Sequence, residues 1–172
     1  MSSDLLDKLV REVSDFEALE QDWPRDWSID EVEDRIDEHD EVMNEAEKHG
    51  LRRLGAGGFR VVFEVLPENK LGLKHDTVLK ISKYDGTRQN ADSIGMYENL
   101  NEGAKQYVAD IVDWGEDKRW LLQEKATNAK TGDTKAVIEG LAEHGYACSD
   151  IRRENCGRIN GEPVLVDLAL LR

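Results

Sequence analysis

A lysine inside an apolar segment and a glycine-rich turn ahead of it are the residues best suited to binding an anion. Lys80 lies within the apolar residues 77–81, and an ammonium group there needs an anionic partner, because burying it unpaired is costly. The turn contains Gly55, Gly57 and Gly58. Glycines let backbone N–H groups approach a phosphate, and a fixed ammonium neutralises its charge. The pattern indicates phosphate binding, although a glycine turn in an ordinary β-hairpin would read the same way.

A second group of polar residues lies near the end of the chain. Asp150 and Asn155 stand five positions apart, and Asp167 directly follows a short apolar strand. Between them, Asn160-Gly161 is a strong signal for a two-residue hairpin turn. Asp150 and Asn155 by themselves are equally typical of helix caps and turns. Their order after the buried lysine, with the matching turn and strand context, favours a functional site.

A sheet and two helices must position these residues. Five strands are predicted from apolar and β-branched residues, two within 51–66 and one each at 77–81, 107–115 and 119–124. Helices are expected at 87–102, which carries Glu98, and at 134–144. The fold class is therefore α+β, with a five-stranded antiparallel sheet.

Residues 1–50 predict two further helices that form a hairpin. Apolar residues recur at three-to-four spacing in both halves, and Ser28 with Glu31 has the spacing of a capping box. Gly50 is a plausible end of the second helix. These helices are expected to pack their apolar stripes on the following domain. Two alternatives stay open: a docking surface for a basic partner, and an acidic mimic of nucleic acid.

The order of these features resembles the protein-kinase superfamily. Those kinases carry a glycine loop between two strands, a lysine on the third strand, a helix-borne glutamate, a D-x-x-x-x-N segment and a second aspartate after a hairpin. The matching residues here are Lys80, Glu98, Asp150, Asn155 and Asp167. The resemblance implies a kinase-like N-terminal lobe at 51–126 with one helix, and a reduced C-terminal lobe at 127–172 that ends just after Asp167. Residues 1–50 would be an acidic extension.

The resemblance also implies roles for individual residues. Asp150 would accept the proton of an attacking hydroxyl, and Asn155 and Asp167 would bind Mg²⁺. Lys80 would contact the phosphates of ATP and pair with Glu98. Other expected nucleotide contacts are Gly55, Gly57, Gly58 and Arg60 at the phosphates, Arg152 at the γ-phosphate, and Glu124 within the adenine-binding residues 123–126.

Several residues depart from the kinase pattern. Arg60 replaces the third glycine of the loop, Cys148 replaces a histidine before the catalytic aspartate, and Ala169 replaces the glycine that follows the second aspartate. Aminoglycoside and small-molecule kinases vary at the same places, so the resemblance extends to the broad superfamily. The peptide-binding part of a kinase is not expected here. The N-terminal helices, a partner chain or a homodimer would then cover the floor of the small lobe.

Charge and composition bound the remaining possibilities. Residues 1–50 hold 18 acidic and 5 basic side chains, a net charge of −13 out of −14 for the chain. Direct nucleic-acid binding through this segment is disfavoured. No secretory signal or membrane span is expected, and Cys148 and Cys156 have no zinc or disulfide spacing. We expect a cytoplasmic protein, and the acidity is compatible with a halophilic source.

The sequence alone is compatible with three functions. The first is a minimal ATP-dependent phosphotransferase with an unknown acceptor. The second is a kinase fold without catalysis, a pseudokinase that acts as an adaptor in a larger assembly, such as a virion, and docks on a protein partner through residues 1–50. The third is an acidic decoy, which only the charge of residues 1–50 supports.

Overall fold

The computed structural model of this chain describes residues 2–19, 28–57, 59–83, 87–149 and 151–172. The helices are α1 (Ser2–Leu19), α2 (Ile29–Lys48), α3 (Thr87–Asn99), α4 (Glu102–Lys105) and α5 (Asp133–Glu143). The strands are β1 (Leu51–Ala56), β2 (Arg60–Val65), β3 (Thr77–Ser82), β4 (Ile111–Trp114), β5 (Trp120–Glu124), β6 (Thr127–Asn128), β7 (Cys156–Ile159) and β8 (Glu162–Leu165). Within the described residues, no helix is both long enough and apolar enough to cross a membrane.

The central element is a five-stranded antiparallel sheet with strand order β1-β2-β3-β5-β4. A smaller sheet of three antiparallel strands has the order β6-β7-β8. The turn between β7 and β8 is formed by Asn160 and Gly161, with φ angles of 52° and 87°. Asparagine and glycine tolerate these positive values best, so the turn forms where the sequence predicts it.

Helices α1 and α2 cover one face of the large sheet, which we call the far face. Residues directly opposite one another in the register share a face, and two such rows are Val61–Ile81–Trp120 and Phe63–Leu79–Leu122. The rows pack against α1 through Leu6, Leu9, Val10 and Val13, and against α2 through Ala46. Helix α2 begins with the predicted capping box, in which Ser28 and Glu31 each accept a hydrogen bond from the other's backbone N–H.

The opposite face of the sheet meets the rest of the chain. Ile94 of α3 and Leu121 of β5 belong to a second apolar core, which includes Val137 and Leu141 of α5 and Leu165 of β8. The two cores therefore lie on opposite sides of one sheet. A backbone hydrogen bond from Ala109 to Leu165 (2.9 Å) and one from Leu165 to Tyr107 (2.8 Å) join the segment that precedes β4 to the small sheet.

The predicted elements are confirmed apart from some of their ends. The α+β class and the five antiparallel strands are as expected. Residues 107–110, predicted as the start of a strand, precede β4 and contribute only an isolated bridge. The helix predicted at 87–102 ends at Asn99, and Asn101 caps a separate short helix, α4. The N-terminal helices cover the far face of the large sheet and not the floor of the small C-terminal lobe. Their apolar stripes match the apolar rows of the far face.

Candidate functional site

A cleft of about 760 Å³ lies between the large sheet and the small one. Five polar residues predicted from the sequence line it: Arg60 at the start of β2, Lys80 in β3, Glu124 at the end of β5, Asn155 before β7, and Asp167 after β8. Apolar side chains such as Val62 line it as well. The cleft therefore combines an apolar wall with cationic and oxygen-bearing side chains.

Strand alternation places Lys80 on this side of the sheet. Successive side chains of a strand point to opposite faces. Leu79 and Ile81 are fully buried in the far-face core, so Lys80 points toward the cleft. Its neighbours in the register, Val62 and Leu121, lie on the same face. The pattern that builds the far-face core thus also fixes the direction of the lysine.

Lys80 is buried, and within the described residues no carboxylate hydrogen-bonds to it. Its side chain is 7% exposed, and its Nζ donates a hydrogen bond of 2.6 Å to the carbonyl oxygen of Val166. The pKa of Lys80 is lowered to about 7, mainly by burial and also by the charge of Arg60, while the charge of Asp167 partly opposes both effects. The described residues therefore do not give the ammonium the full counter-charge that a buried lysine needs.

The expected pair between Lys80 and Glu98 does not form. Helix α3 turns Asn90, Ser93 and Ile94 toward the protein interior, whereas Glu98 is exposed. With 3.6 residues per turn, Glu98 lies about a quarter turn away from the centre of that buried face. The residue of α3 that reaches β3 is Asn90, whose Nδ2 donates to the carbonyl oxygens of Arg119 (3.1 Å) and Lys80 (3.4 Å).

Asn155 and Asp167 are held side by side through the backbone. The N–H of Val166 donates to the carbonyl oxygen of Asn155 at 2.8 Å, so the residue before Asp167 is tied to Asn155. The Asn155 side chain is fixed as well, because its Oδ1 accepts a hydrogen bond of 3.2 Å from the Arg152 N–H. Both groups are only partly exposed. The small sheet thus presents an amide and a carboxylate to the cleft from fixed positions.

Arg60 reaches across the cleft to Asp167. Its Nη2 lies 2.7 Å from Oδ1 of Asp167, and the two side chains are 10% and 19% exposed. Oδ1 nevertheless accepts no hydrogen bond of acceptable direction and is itself buried. The short separation is therefore an ionic contact, in which the charge of Asp167 is neutralised but the hydrogen-bonding capacity of Oδ1 is unused.

The oxygen atoms of Asn155 and Asp167 fit the metal that the sequence implies. Mg²⁺ prefers carboxylate and amide oxygens and usually keeps several waters, so it does not need a cage made entirely of protein groups. The buried Oδ1 of Asp167, which accepts no hydrogen bond, is a suitable ligand of this kind. Among the described residues, no three His, Cys, Asp or Glu side chains lie together as a metal cluster. Asp150 lies outside the described residues.

The connection after β5 borders the apolar part of the cleft. Glu124 and Ala126 line it, while Gln123 is fixed by a hydrogen bond of 3.0 Å from its Nε2 to the carbonyl oxygen of Ala109. The N–H of Glu124 donates a hydrogen bond of 2.9 Å to the backbone carbonyl oxygen of Asp110. In the part of the chain that the structure describes, no group accepts a hydrogen bond from the Ala126 N–H. A planar ligand in the cleft would therefore find one unused backbone donor at Ala126.

The glycine turn between β1 and β2 has open space around it. The N–H of Gly57 donates to the carbonyl oxygen of Arg60 at 2.8 Å, which closes the turn. A Cβ atom at Gly55 or Gly57 would meet nothing within 4 Å, and neither residue has a positive φ angle. Neither steric crowding nor backbone conformation requires glycine there. The requirement would come from a ligand that approaches the backbone closely.

The structure brings together five of the predicted site residues and leaves others apart. Those that line the cleft are Arg60, Lys80, Glu124, Asn155 and Asp167. Those that do not line it are Gly55, Gly57, Glu98 and Arg152. Gly58 and Asp150 lie outside the described residues.

Sequence reasoning assigned no site role to Arg153 or to Thr127 and Asn128 of β6, which also line the cleft. Arg153 is one position from the predicted site at Arg152, and its guanidinium donates to the carbonyl oxygen of Ala129. Nothing local to Thr127 and Asn128 signals their place. It depends on the pairing of β6 with β7.

Sequence comparison assigns no family to the chain. No protein-family model matches it, and no curated protein does so either. The function is therefore inferred from the geometry of the cleft and the chemistry of its side chains.

Proposed function

We propose that the cleft binds ATP with Mg²⁺ and that the protein is a kinase-like phosphotransferase, which transfers a phosphoryl group to a hydroxyl acceptor. The observation that carries this proposal is the meeting of Arg60, Lys80, Asn155 and Asp167 in one cleft, from four separate segments of the chain. Two cations suit the phosphates, and two oxygen ligands suit the metal that accompanies them.

The proposal includes a protein-kinase-like fold, with residues 51–126 as the N-terminal lobe and 127–172 in the C-terminal lobe. It is supported by the five antiparallel strands and by a single long helix, α3, between the third and fourth of them. The position of the cleft between the large and small sheets also supports it. Ligands commonly bind where two such layers meet.

The side chains divide the cleft into three parts. Adenine would lie against Val62 and the connection 124–126, where the Ala126 N–H donates to no group among the described residues. The phosphates would lie near Arg60 and Lys80, under the open glycine turn. A Mg²⁺ ion held by Asn155 and Asp167 would neutralise charge on the transferring phosphoryl group.

Two further residues complete the proposed reaction site. Asp150 would accept the proton of the acceptor hydroxyl, and Arg152 would contact the γ-phosphate. Arg152 is exposed and lies beside the turn that fixes Asn155. Both roles follow from the kinase resemblance and are proposed with it.

Thermal unfolding with and without Mg²⁺-ATP tests the proposal. A ligand that binds only the native state stabilises it by about 2.7 kcal/mol at a hundredfold excess over its dissociation constant. We expect a metal-dependent rise of the midpoint in the parent and in Asp92→Asn, a control at an exposed aspartate of α3. The metal-dependent part should disappear in Asp167→Asn. The absence of any rise at millimolar ATP would contradict nucleotide binding.

A second candidate is a non-catalytic kinase fold that acts as an adaptor. The observation that favours it is the exposure of Glu98, which leaves Lys80 without the glutamate that active kinases pair with it. The acidic side chains of α2 would then be its docking element, since ten of them are exposed between Asp30 and Glu47. A test for loss of the γ-phosphate from ATP distinguishes the candidates. Binding without turnover supports the adaptor, and Asp167-dependent turnover supports the enzyme.

A further inference from the structure

The contact between Arg60 and Asp167 joins the two sides of the cleft. Arg60 belongs to β2 of the large sheet, and Asp167 follows the last strand of the small one. The separation of 2.7 Å between Nη2 and Oδ1 places the guanidinium directly against a carboxylate oxygen that faces the cleft. A divalent cation bound to the same oxygen would lie close to this positive charge.

The contact has the features of a replaceable one. Oδ1 accepts no well-directed hydrogen bond from the guanidinium, so the pair lacks the directional bonds that make arginine–carboxylate pairs strong. Arg60 also faces a second cation, because its charge contributes to the lowered pKa of Lys80. An additional anion in the cleft would therefore attract Arg60 away from Asp167.

We propose that Arg60 is a positioning residue that makes metal binding depend on nucleotide binding, an inference that rests on the proposed function of the cleft. In the free protein its guanidinium neutralises Asp167 and keeps divalent cations from Oδ1. The phosphates of a bound nucleotide provide another anion for Arg60 and leave Oδ1 accessible to the metal.

This arrangement has a thermodynamic consequence. Metal and guanidinium cannot both lie against Oδ1, since like charges at such a distance repel strongly in a poorly solvated cleft. A nucleotide that moves Arg60 therefore raises the affinity for metal, and by linkage the metal raises the affinity for nucleotide by the same factor. Without the arginine, the metal should bind well in the absence of nucleotide, and this coupling should become smaller.

Titration of the full chain with Mn²⁺ alone tests whether Arg60 keeps divalent cations from Oδ1 when no nucleotide is bound. The electron paramagnetic resonance signal of free Mn²⁺ measures the binding. We expect Arg60→Gln to bind Mn²⁺ about tenfold to a hundredfold more tightly than the parent. Arg52→Gln is the matched control, since it removes the same charge from the same sheet at an arginine that pairs with Glu64. Arg60→Lys keeps a cation at the position and should bind Mn²⁺ as weakly as the parent.

The acidic side chains of α2 also attract Mn²⁺, so Asp167→Asn defines the background of the titration. The gain in Arg60→Gln should vanish when Asp167→Asn is added. Equal Mn²⁺ affinity in Arg60→Gln and the parent would overturn the inference, and so would a gain that survives in the double variant.

The same titration in the presence of a non-hydrolysable ATP analogue tests the coupling. The analogue should raise the Mn²⁺ affinity of the parent by at least several-fold more than it raises that of Arg60→Gln. If the analogue binds but raises both affinities equally, the role of Arg60 is overturned while the proposed nucleotide site stands. If it binds neither protein, with or without Mn²⁺, the proposed function and the coupling both fail.

Discussion

The two faces of the large sheet are formed by the same strands, but they differ in what packs against them. On the far face, Val61, Phe63 and Val65 of β2 are almost completely buried under α1 and α2. On the cleft face, the alternate residues of the same strand include Arg60 and Val62. The far face is fully covered by apolar side chains, whereas the cleft face holds polar groups that are not fully hydrogen-bonded by the described residues.

This difference separates stability from function. The far face removes large apolar side chains from water, which is the main favourable term in folding. Among the described residues, the cleft face offers Lys80 no hydrogen-bonded carboxylate and offers Oδ1 of Asp167 no hydrogen-bond donor of acceptable direction. Groups of this kind cost stability and are retained where a ligand completes their contacts. Substitutions on the far face should therefore mainly lower the free energy of unfolding. Substitutions on the cleft face should mainly weaken ligand binding.

The largest effect is expected from Phe63→Ala on the far face. Phe63 is 1% exposed and lies in the row with Leu79 and Leu122. Removal of its ring should lower the free energy of unfolding by about 3–5 kcal/mol through lost burial and a residual cavity. Urea denaturation measures this change as a lower midpoint with an unchanged slope.

The matched substitution on the cleft face is Val62→Ala, one position away on the same strand. Val62 is partly exposed and lines the cleft. It should cost about 1 kcal/mol or less in stability and should weaken nucleotide binding. Equal destabilisation by the two substitutions would remove the distinction between the faces.

A smaller loss is expected from Gly157→Ala, at the base of the cleft. A Cβ atom there would lie 2.5 Å from Cβ of Ala126 and 2.8 Å from the carbonyl oxygen of Thr127. The backbones of β6 and β7 would have to separate, at a cost of about 1–3 kcal/mol in the free energy of unfolding. Gly55→Ala is the control, since the space around it is open. It should leave stability within about 0.5 kcal/mol, and a stability loss as large as that of Gly157→Ala would contradict the open turn.

Lys80→Met should separate affinity from stability on the cleft face. The variant loses a charged hydrogen-bond donor to phosphate, so ATP should bind about tenfold to a hundredfold more weakly. The unfolding free energy at pH 7 should stay the same or rise, because an incompletely paired buried ammonium is removed. Isothermal titration and urea denaturation measure the two quantities. Loss of stability without loss of affinity would place Lys80 in the structural core.

The pH dependence of stability should report the same lysine. Its pKa in the native protein is about 7, against about 10.4 for an ordinary lysine in the unfolded chain. Between these values the unfolded chain holds a proton that the native protein lacks, so the free energy of unfolding should rise with pH. The slope due to this group is at most about 1.4 kcal/mol per pH unit.

The difference in slope between the parent and Lys80→Met, from pH 7 to pH 9.5, isolates this contribution from other titrating groups. Lys70→Met, at an exposed lysine, is the control and should keep the slope of the parent. Parallel curves for the parent and Lys80→Met would mean that Lys80 stays charged throughout this range.

Local patterns in the sequence were sufficient to predict most of the fold. The apolar and β-branched residues at 61–65 and 77–81 predicted strands, Ser28 with Glu31 predicted the start of α2, and Asn160-Gly161 predicted the small hairpin. Each of these signals depends on neighbours a few residues apart. Local patterns did not predict that α1 and α2 lie on the far face, because this location depends on which distant apolar surface matches the apolar stripes of the two helices.

The site could be predicted only in part, for a related reason. Spacing identified Lys80, Asn155 and Asp167, which all line the cleft. The contact of Arg60 with Asp167 depends on the juxtaposition of two sheets, so the sequence identified Arg60 as a phosphate contact but not its partner. The rotation of α3 about its axis is set by packing, and it determines that Asn90 contacts β3.

Glu98→Gln gives the smallest expected effect and tests that rotation directly. Because Glu98 is exposed and lies away from Lys80, its substitution should change the unfolding free energy by less than about 0.5 kcal/mol. ATP affinity should also stay within about twofold of the parent. Glu64→Gln is the contrasting variant, since Lys125 and Arg52 hold the pKa of that buried carboxyl below its usual range. It should lose measurably more stability. If Glu98→Gln instead weakens ATP binding as much as Lys80→Met does, α3 must turn when nucleotide binds and bring Glu98 to the lysine. The cleft face would then be rearranged by its ligand, whereas the far face would keep its packing.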